Sequence, residues 1–260
     1  MTKTPVDHGI LRHLEALKAS GKKGFAVLID PDKVTQPSQL IKSINMAVEN
    51  QVSFFFVGGS LQMRDNFGET IGLIKDHTEV PVVLFPGSNM QIDLHVDGLL
   101  FLALISGRNP EFLIGQHVVV APLLKRSQVE VIPTGYCIIE SGKMTSVEYM
   151  SNTVPIPADK PSLAASTAMA GEMLGHRLIY LDAGSGALNP VSARMINMVR
   201  RSINTPLIVG GGINSAQKAN DALQAGADLI VIGNGIEENP DLLISIGEKI
   251  SMINASLNVH

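Results

Sequence analysis

The chain has no tryptophan, only three tyrosines and a single cysteine in 260 residues. Cys137 alone cannot close an intramolecular disulfide, and no paired Cys/His spacing marks structural zinc, so a reducing, cytoplasmic setting is expected. An excess of positive charge is missing too. The formal net charge of −4 argues against a general nucleic-acid binder, which would show a basic stripe. No apolar run approaches the roughly 20 residues needed to span a bilayer, and the first eight residues carry no apolar signal core. A soluble protein is expected, although its substrate need not be soluble.

Hydrophobic residues are plentiful, at 45% of the chain, and 24 glycines punctuate them. A (β/α) barrel of roughly 250 residues forms one domain, so residues 1–260 are expected to be a single TIM-barrel domain. Apolar runs predict eight strands, at about 25–29, 53–57, 81–85, 98–104, 132–138, 178–182, 206–210 and 228–232. Amphipathic segments at 38–50, 67–77, 110–126, 161–174, 190–202, 214–225 and 240–253 alternate with them. Asn189-Pro190 and Asn239-Pro240 look like helix caps followed by proline at the first helical position, and Asn214 or Ser215 suits the cap after the glycine triplet. Between the third and fourth strands only Pro86 to Asp97 remain, too few for a crossover helix with two loops. An irregular segment is expected there. Ser141 to Lys160 is long, polar and proline-containing, and is expected to form a loop over the strand ends.

Three strand ends in the last third carry the functional signal: Tyr180-Leu-Asp-Ala-Gly-Ser-Gly-Ala187, Ile208-Val-Gly-Gly-Gly-Ile213 and Ile230-Val-Ile-Gly-Asn234. Glycine lets backbone N–H groups approach an anion closely, and barrels often bind phosphate after strands seven and eight. Gly211, Gly212, Gly233 and Asn234 are therefore the anion candidates, although strand-end glycines also serve packing. The absence of Gly-x-Gly-x-x-Gly after the first strand favours a closed barrel over a doubly wound sheet.

Asp30, in Leu28-Ile-Asp-Pro-Asp-Lys33, falls at the first strand's end and reads either as a Mg²⁺ ligand or as a turn initiator. Ser60, in Val57-Gly-Gly-Ser60, falls at the next strand end and reads as a hydroxyl ligand of the same ion or as a loop serine. Asp182 is a candidate base or hydrogen-bond acceptor for a substrate hydroxyl, or else a cap of its own loop. Period two puts Tyr180 on the same face, pointing into the barrel. Tyr136 suits an apolar channel or ordinary core packing, Cys137 reads as a small buried hydrophobe, and His95 and His117 read as structural.

Taken together in chain order, these motifs, with Pro81-Val-Val-Leu-Phe-Pro-Gly87, Ser106-Gly-Arg-Asn-Pro110 and Gly135-Tyr-Cys-Ile138, resemble the geranylgeranylglyceryl phosphate synthase family, which includes the PcrB-type enzymes. The likeness runs nearly end to end. It implies a modified TIM barrel whose third helix is replaced by an irregular segment. It also implies Mg²⁺-dependent transfer of a C20 geranylgeranyl group from its diphosphate to the 3-hydroxyl of sn-glycerol 1-phosphate, with release of diphosphate. By the same resemblance Asp30 and Ser60 would hold Mg²⁺ with the diphosphate. Tyr180, Leu181, Asp182, Ala183, Gly184, Ser185 and Gly186 would hold the glycerol phosphate, whose phosphate would rest on Gly211, Gly212, Gly233 and Asn234, and Tyr136 would lie along the prenyl groove. Proton acceptance would fall to Asp182, where most of the family carries Glu, a side chain longer by about 1.5 Å, one carbon–carbon bond. The resemblance further implies a dimer or hexamer and transient membrane-surface contact for the lipid product. Competing readings are a heptaprenyl (C35) donor, a phosphate-binding barrel isomerase or aldolase, and a non-catalytic phosphate-binding barrel. The isomerases and aldolases usually employ a catalytic lysine or paired aspartates on opposing strands; no strand-centred lysine is present, and Asp30 paired across the mouth with a second acid, without an apolar groove, would favour them.

Overall fold

The computed structural model describes residues 9–233 and 241–257. Eight parallel strands succeed one another around the barrel: β1 (Gly24–Ile29), β2 (Phe54–Val57), β3 (Val82–Leu84), β4 (Gly98–Leu104), β5 (Glu130–Ile138), β6 (Leu178–Asp182), β7 (Leu207–Gly210) and β8 (Leu229–Ile232). The barrel closes where β8 pairs with β1, Gly24 opposite Leu229 and Val27 opposite Ile232. Each strand stays within two residues of its expected bounds. Strands buried on both faces read as continuous apolar runs, and that signal is local.

Alternation along the strands separates two apolar layers. Ala26, Phe54, Phe56, Val83, Leu100, Ile132, Tyr136, Tyr180, Ile208 and Val231 point inward and fill the barrel. Val27, Phe55, Leu84, Leu99, Leu181, Val209 and Ile230 point outward under the helices. Tyr180 thus faces inward as its spacing requires.

The helices are α1 (Ile10–Ser20), α2 (Pro37–Glu49), α3 (Phe67–His77), α4 (Gln116–Leu124), α5 (Ser146–Ser151), α6 (Pro161–Met173), α7 (Ala193–Arg200), α8 (Ala216–Gln224) and α9 (Asp241–Ser256). None among the described residues is long and apolar enough to cross a membrane. Residues 85–97 form no helix, so β3 is followed by β4 without the crossover helix expected between neighbouring barrel strands. α1 was not anticipated. Its Ile10 and Leu14 are buried one turn apart and enter the inward cluster, closing the end of the barrel opposite the strands' carboxyl ends. Glu130 at the start of β5 fixes it there by accepting from the N–H groups of Ile10 and Leu11 at 3.1 and 3.0 Å. The Ser141–Lys160 segment is not loop throughout, because α5 forms inside it and Ile139 bridges Ile156.

Two cap assignments change or sharpen. Helix α7 starts at Ala193, not after Asn189, because Ser192 caps it by accepting from Met195 N–H; Asn189 instead donates its side-chain amide to the Ser141 carbonyl. Of the two residues proposed for α8, Ser215 is the cap. The Asn239-Pro240 cap lies outside the described residues.

Below the barrel, Arg200 joins three elements. Its guanidinium donates to Asp228 Oδ2 at 2.8 Å and to the carbonyls of Ile203 and Thr205 at 2.7 and 2.9 Å, while Asp228 also accepts from Leu207 N–H. Removing the guanidinium leaves the buried Asp228 carboxylate with only Leu207 N–H and, at 3.9 Å, Lys23 Nζ, and takes the donor from two carbonyls. Arg200→Ala is expected to lower unfolding free energy by about 3 kcal/mol in chemical denaturation; a loss below about 1 kcal/mol would show that the network is not needed.

Candidate active site

All strand carboxyl ends open into one mouth, a cavity of about 470 Å³. Asp30, Lys33 and Ser60 line one side, while Tyr180, Asp182, Gly184, Ser185, Gly186, Gly211, Gly212 and Gly233 line the other. The acidic and glycine-rich candidates therefore share one space. Leu181 and Ala183 do not join them, since alternation turns both into the outer layer and leaves only their backbone near the mouth. Asn234 lies outside the described residues.

The glycine rim follows from backbone crowding. Gly211 has φ +81, and a Cβ there would meet Gly184 N at 2.6 Å and Ala183 N at 2.8 Å. Only glycine lets the turns after β6 and β7 lie backbone against backbone. Helix α8 begins a few residues later behind its Ser215 cap, so a helix N-terminus stands behind the rim.

Asp182 is 7% exposed, and both of its oxygens are engaged. Oδ1 accepts from Gly184 N–H at 2.8 Å, and Oδ2 accepts from the Tyr136 hydroxyl at 2.5 Å. The loop-capping reading of Asp182 is thus correct, and it does not exhaust the carboxylate, which has further lone pairs. Burial raises its pKa, opposed by donation from Tyr136 and then Gly184. Burial, with the neighbouring carboxylate, holds the Tyr136 phenol well above its ordinary value, so it remains a donor.

Asp30 ends β1 against the turn after β2, its Oδ1 3.0 Å from where a Gly59 Cβ would stand. Its carboxylate accepts from Asp32 N–H, which is the turn-initiating geometry, and its Oδ2 lies 3.9 Å from Lys33 Nζ. Burial raises the Asp30 pKa, with Lys33 pulling it back. Mg²⁺ is commonly held by one or two protein oxygens together with substrate phosphates. Asp30 and Ser60 line the same cavity and have that donor chemistry, although no group of three or more His, Cys, Asp or Glu gathers around a metal position among the described residues.

An apolar groove of about 90 Å³ leaves the mouth where the helix after β3 is missing. Ser60, Pro86, Gly87, Leu102, Tyr136 and Val147 belong to both spaces, and the groove continues past Leu99 and Phe101 to Phe112, His117 and Val120. Tyr136 stands at the junction, its ring 5.7 Å from Phe85 and 5.5 Å from Tyr180. His117 is a groove-wall residue, edge-on to Phe101 at 4.5 Å, with burial lowering its pKa. His95 is exposed and paired with Asp93, away from both spaces. The Cys137 thiol is buried and pushed up to about 12, which makes it an inert packing group. Phe85, Lys33 and Gln91 were missed. Lys33 and Phe85 lie within motifs already singled out, whereas nothing local marks Gln91.

Known proteins resemble this chain in sequence and fold. The PcrB family model matches residues 18–251. A geranylgeranylglyceryl phosphate synthase from Spirosoma linguale is 52% identical over 244 residues, covering 94% of this chain and 98% of that one. One from Chitinophaga pinensis is 48% identical, covering 90% and 92%. The crystal structure of (S)-3-O-geranylgeranylglyceryl phosphate synthase from Thermoplasma acidophilum, in complex with its substrate sn-glycerol-1-phosphate, matches with a TM-score of 0.86 at 31% identity over 96% of this chain and 100% of that one.

Adding one methyl group at the rim tests the crowding argument. Gly211→Ala combines positive φ with a backbone clash, and a destabilisation of about 2–3 kcal/mol is expected in denaturant unfolding. A change within about 0.5 kcal/mol would mean that the two turns separate freely.

Proposed function

The chain belongs to the PcrB family, and from that membership and its joined polar and apolar cavities we propose that it is a prenyltransferase making 3-O-geranylgeranyl-sn-glyceryl 1-phosphate and diphosphate from geranylgeranyl diphosphate and sn-glycerol 1-phosphate. One observation carries the reading: a single space has a glycine-lined polar end and an apolar end, with Tyr136 at their boundary. A phosphorylated alcohol suits the first and a prenyl chain the second.

In this reading the phosphate of glycerol 1-phosphate rests on backbone N–H groups around Gly211, Gly212 and Gly233, which directs the 3-hydroxyl toward Asp182. Asp30 and Ser60 would hold Mg²⁺, which when bound supplies charge neutralisation on the diphosphate oxygens. Lys33 adds a cationic group on the same wall. The allylic carbon–oxygen bond breaks with its electron pair leaving on diphosphate, and positive charge develops on the prenyl carbon. The glycerol oxygen bonds to that carbon and its proton passes to Asp182. Apolar groove walls exclude water, which would otherwise capture the same carbon.

Purified protein incubated with Mg²⁺, labelled glycerol 1-phosphate and prenyl diphosphates of several lengths is expected to yield an organic-extractable ether lipid, with the C20 donor preferred. No product with any donor would sink the proposal, and preference for the C35 donor would favour the heptaprenyl reading. Asp30→Ala should abolish Mg²⁺-dependent turnover while glycerol 1-phosphate affinity stays within about twofold; equal loss of both contradicts this division of roles.

The pH profile tests Asp182. Only its ionised form accepts a proton, so kcat/KM should fall as pH drops through a pKa that burial has raised. Donation from Tyr136 favours the ionised form, so Tyr136→Phe should move this acidic limb to higher pH and lower activity roughly tenfold at neutral pH. An unmoved limb would assign the titration to another group.

A further inference from the structure

Gln91 is a polar side chain in the irregular segment after β3, yet it is only 2% exposed. Its Oε1 accepts from Gly87 N–H at 2.8 Å, and its Nε2 donates to the Gly59 carbonyl at 2.9 Å. One partner can only donate and the other can only accept, so the orientation of the amide is fixed by the backbone itself. The side chain therefore spans the turns after β2 and β3.

Those turns have almost no room between them. A Cβ at Gly58 would lie 1.9 Å from the Phe85 carbonyl oxygen, and one at Gly87 would lie 2.3 Å from the Gly59 carbonyl oxygen. Ser60 follows directly, at the place where mouth and groove meet. From the far side, Asp32 accepts from the N–H groups of Met63 and Arg64 at 2.7 and 2.9 Å. Asn66 also donates its side-chain amide to the Pro31 carbonyl. The turn after β1 thus holds the chain just beyond Ser60 through Asp32 and Pro31, and Gln91 holds the turn before Ser60 from the groove side. The groove segment is itself held to α4, because Gln116 Oε1 accepts from Asn89 N–H at 2.8 Å.

We infer that Gln91 is a positioning residue for the prenyl donor, fixing the Ser60 turn that meets the diphosphate to the segment that lines the prenyl groove. The inference rests on the prenyltransferase reading and deepens it. Two halves of one amphiphilic donor must be received at a set separation, and 85–97 has no helix of its own to set it. Gln91 supplies the link with two hydrogen bonds at a buried position, where leaving either partner unpaired is costly.

Gln91→Met keeps the length of the side chain and removes both hydrogen bonds. The comparison measures KM for the prenyl diphosphate, Ki for inorganic diphosphate in Mg²⁺, KM for glycerol 1-phosphate, and the thermal midpoint, against wild type. Donor KM and diphosphate Ki are expected to rise roughly tenfold, while glycerol 1-phosphate KM stays within about twofold. A donor KM within twofold of wild type overturns the inference, and so does a parallel rise in both substrates' KM, which is the signature of general loosening. If Gln91→Met does not fold, Gln91→Asn, whose amide is one methylene too short to reach both turns, carries the same comparison with the same outcomes. Wild-type protein that forms no ether lipid overturns the functional reading and this inference with it. Turnover by wild type with unchanged variants overturns the role of Gln91 alone.

Discussion

The pairing of β8 with β1 is the constraint on which the rest depends, because closing the sheet forces all eight strand ends into one ring. Asp30 on β1 and Asp182 on β6 are separated by more than half the chain, yet both reach the same cavity. An open sheet of the same strands would leave β1 and β8 on opposite edges, and the acid side of the mouth would lose its glycine-rich neighbour. Closure also excludes water from the barrel interior, where inward aromatic rings stack from Phe54 through Phe56 and Phe85 to Tyr180. The floor of the mouth is therefore mostly apolar, and the one hydroxyl in mid-β5, on Thr134, is satisfied by donating to the Ile132 carbonyl of its own strand.

Omitting one helix from this closed frame creates the second half of the site. Elsewhere the outer face of each strand is covered, but after β3 the chain crosses to β4 in an extended, turn-rich path. Leu99 and Phe101 on β4 then border a groove whose other wall is α4, through His117 and Val120. An irregular path has more backbone groups to satisfy than a helix has, since none is paired by i to i−4 bonding. Side chains meet part of that need: Gln91 accepts from Gly87 N–H, Gln116 from Asn89 N–H and Asp93 from His95 N–H.

The strands were legible because a strand buried on both faces announces itself without reference to distant residues. The glycine rim was legible for a related reason: a backbone that must approach another backbone excludes every side chain, and Gly211 records this locally. What the sequence concealed depends on partners far along the chain. Gln91 sits among polar residues and gains meaning only from Gly59, 32 positions away. The link between Tyr136 and Asp182 spans 46 positions and requires knowing that β5 pairs with β6, Ile138 opposite Asp182. Helix α1 carried a readable Ile10 and Leu14 repeat, but its purpose is closure of a barrel still to come. The proline after Asn189 misled because a good cap sequence competes with a better placed serine three residues on.

Tyrosine, and not phenylalanine, at the boundary of mouth and groove follows from the needs of both sides. A carboxylate as buried as Asp182 is costly without donors, and Gly184 N–H can serve only one of its oxygens. A second donor must come from a residue that also presents apolar surface to the groove, and a phenol has an apolar body with a polar tip. Lysine or arginine in that place would, in the proposed reaction, bring a full positive charge to the boundary where positive charge develops on the prenyl carbon, opposing that step. Serine or threonine would meet the carboxylate only by bringing the whole backbone nearer, and would leave the groove unlined. The Tyr136 hydroxyl satisfies Asp182 without adding charge, and its ring completes the aromatic wall with Phe85 and Tyr180.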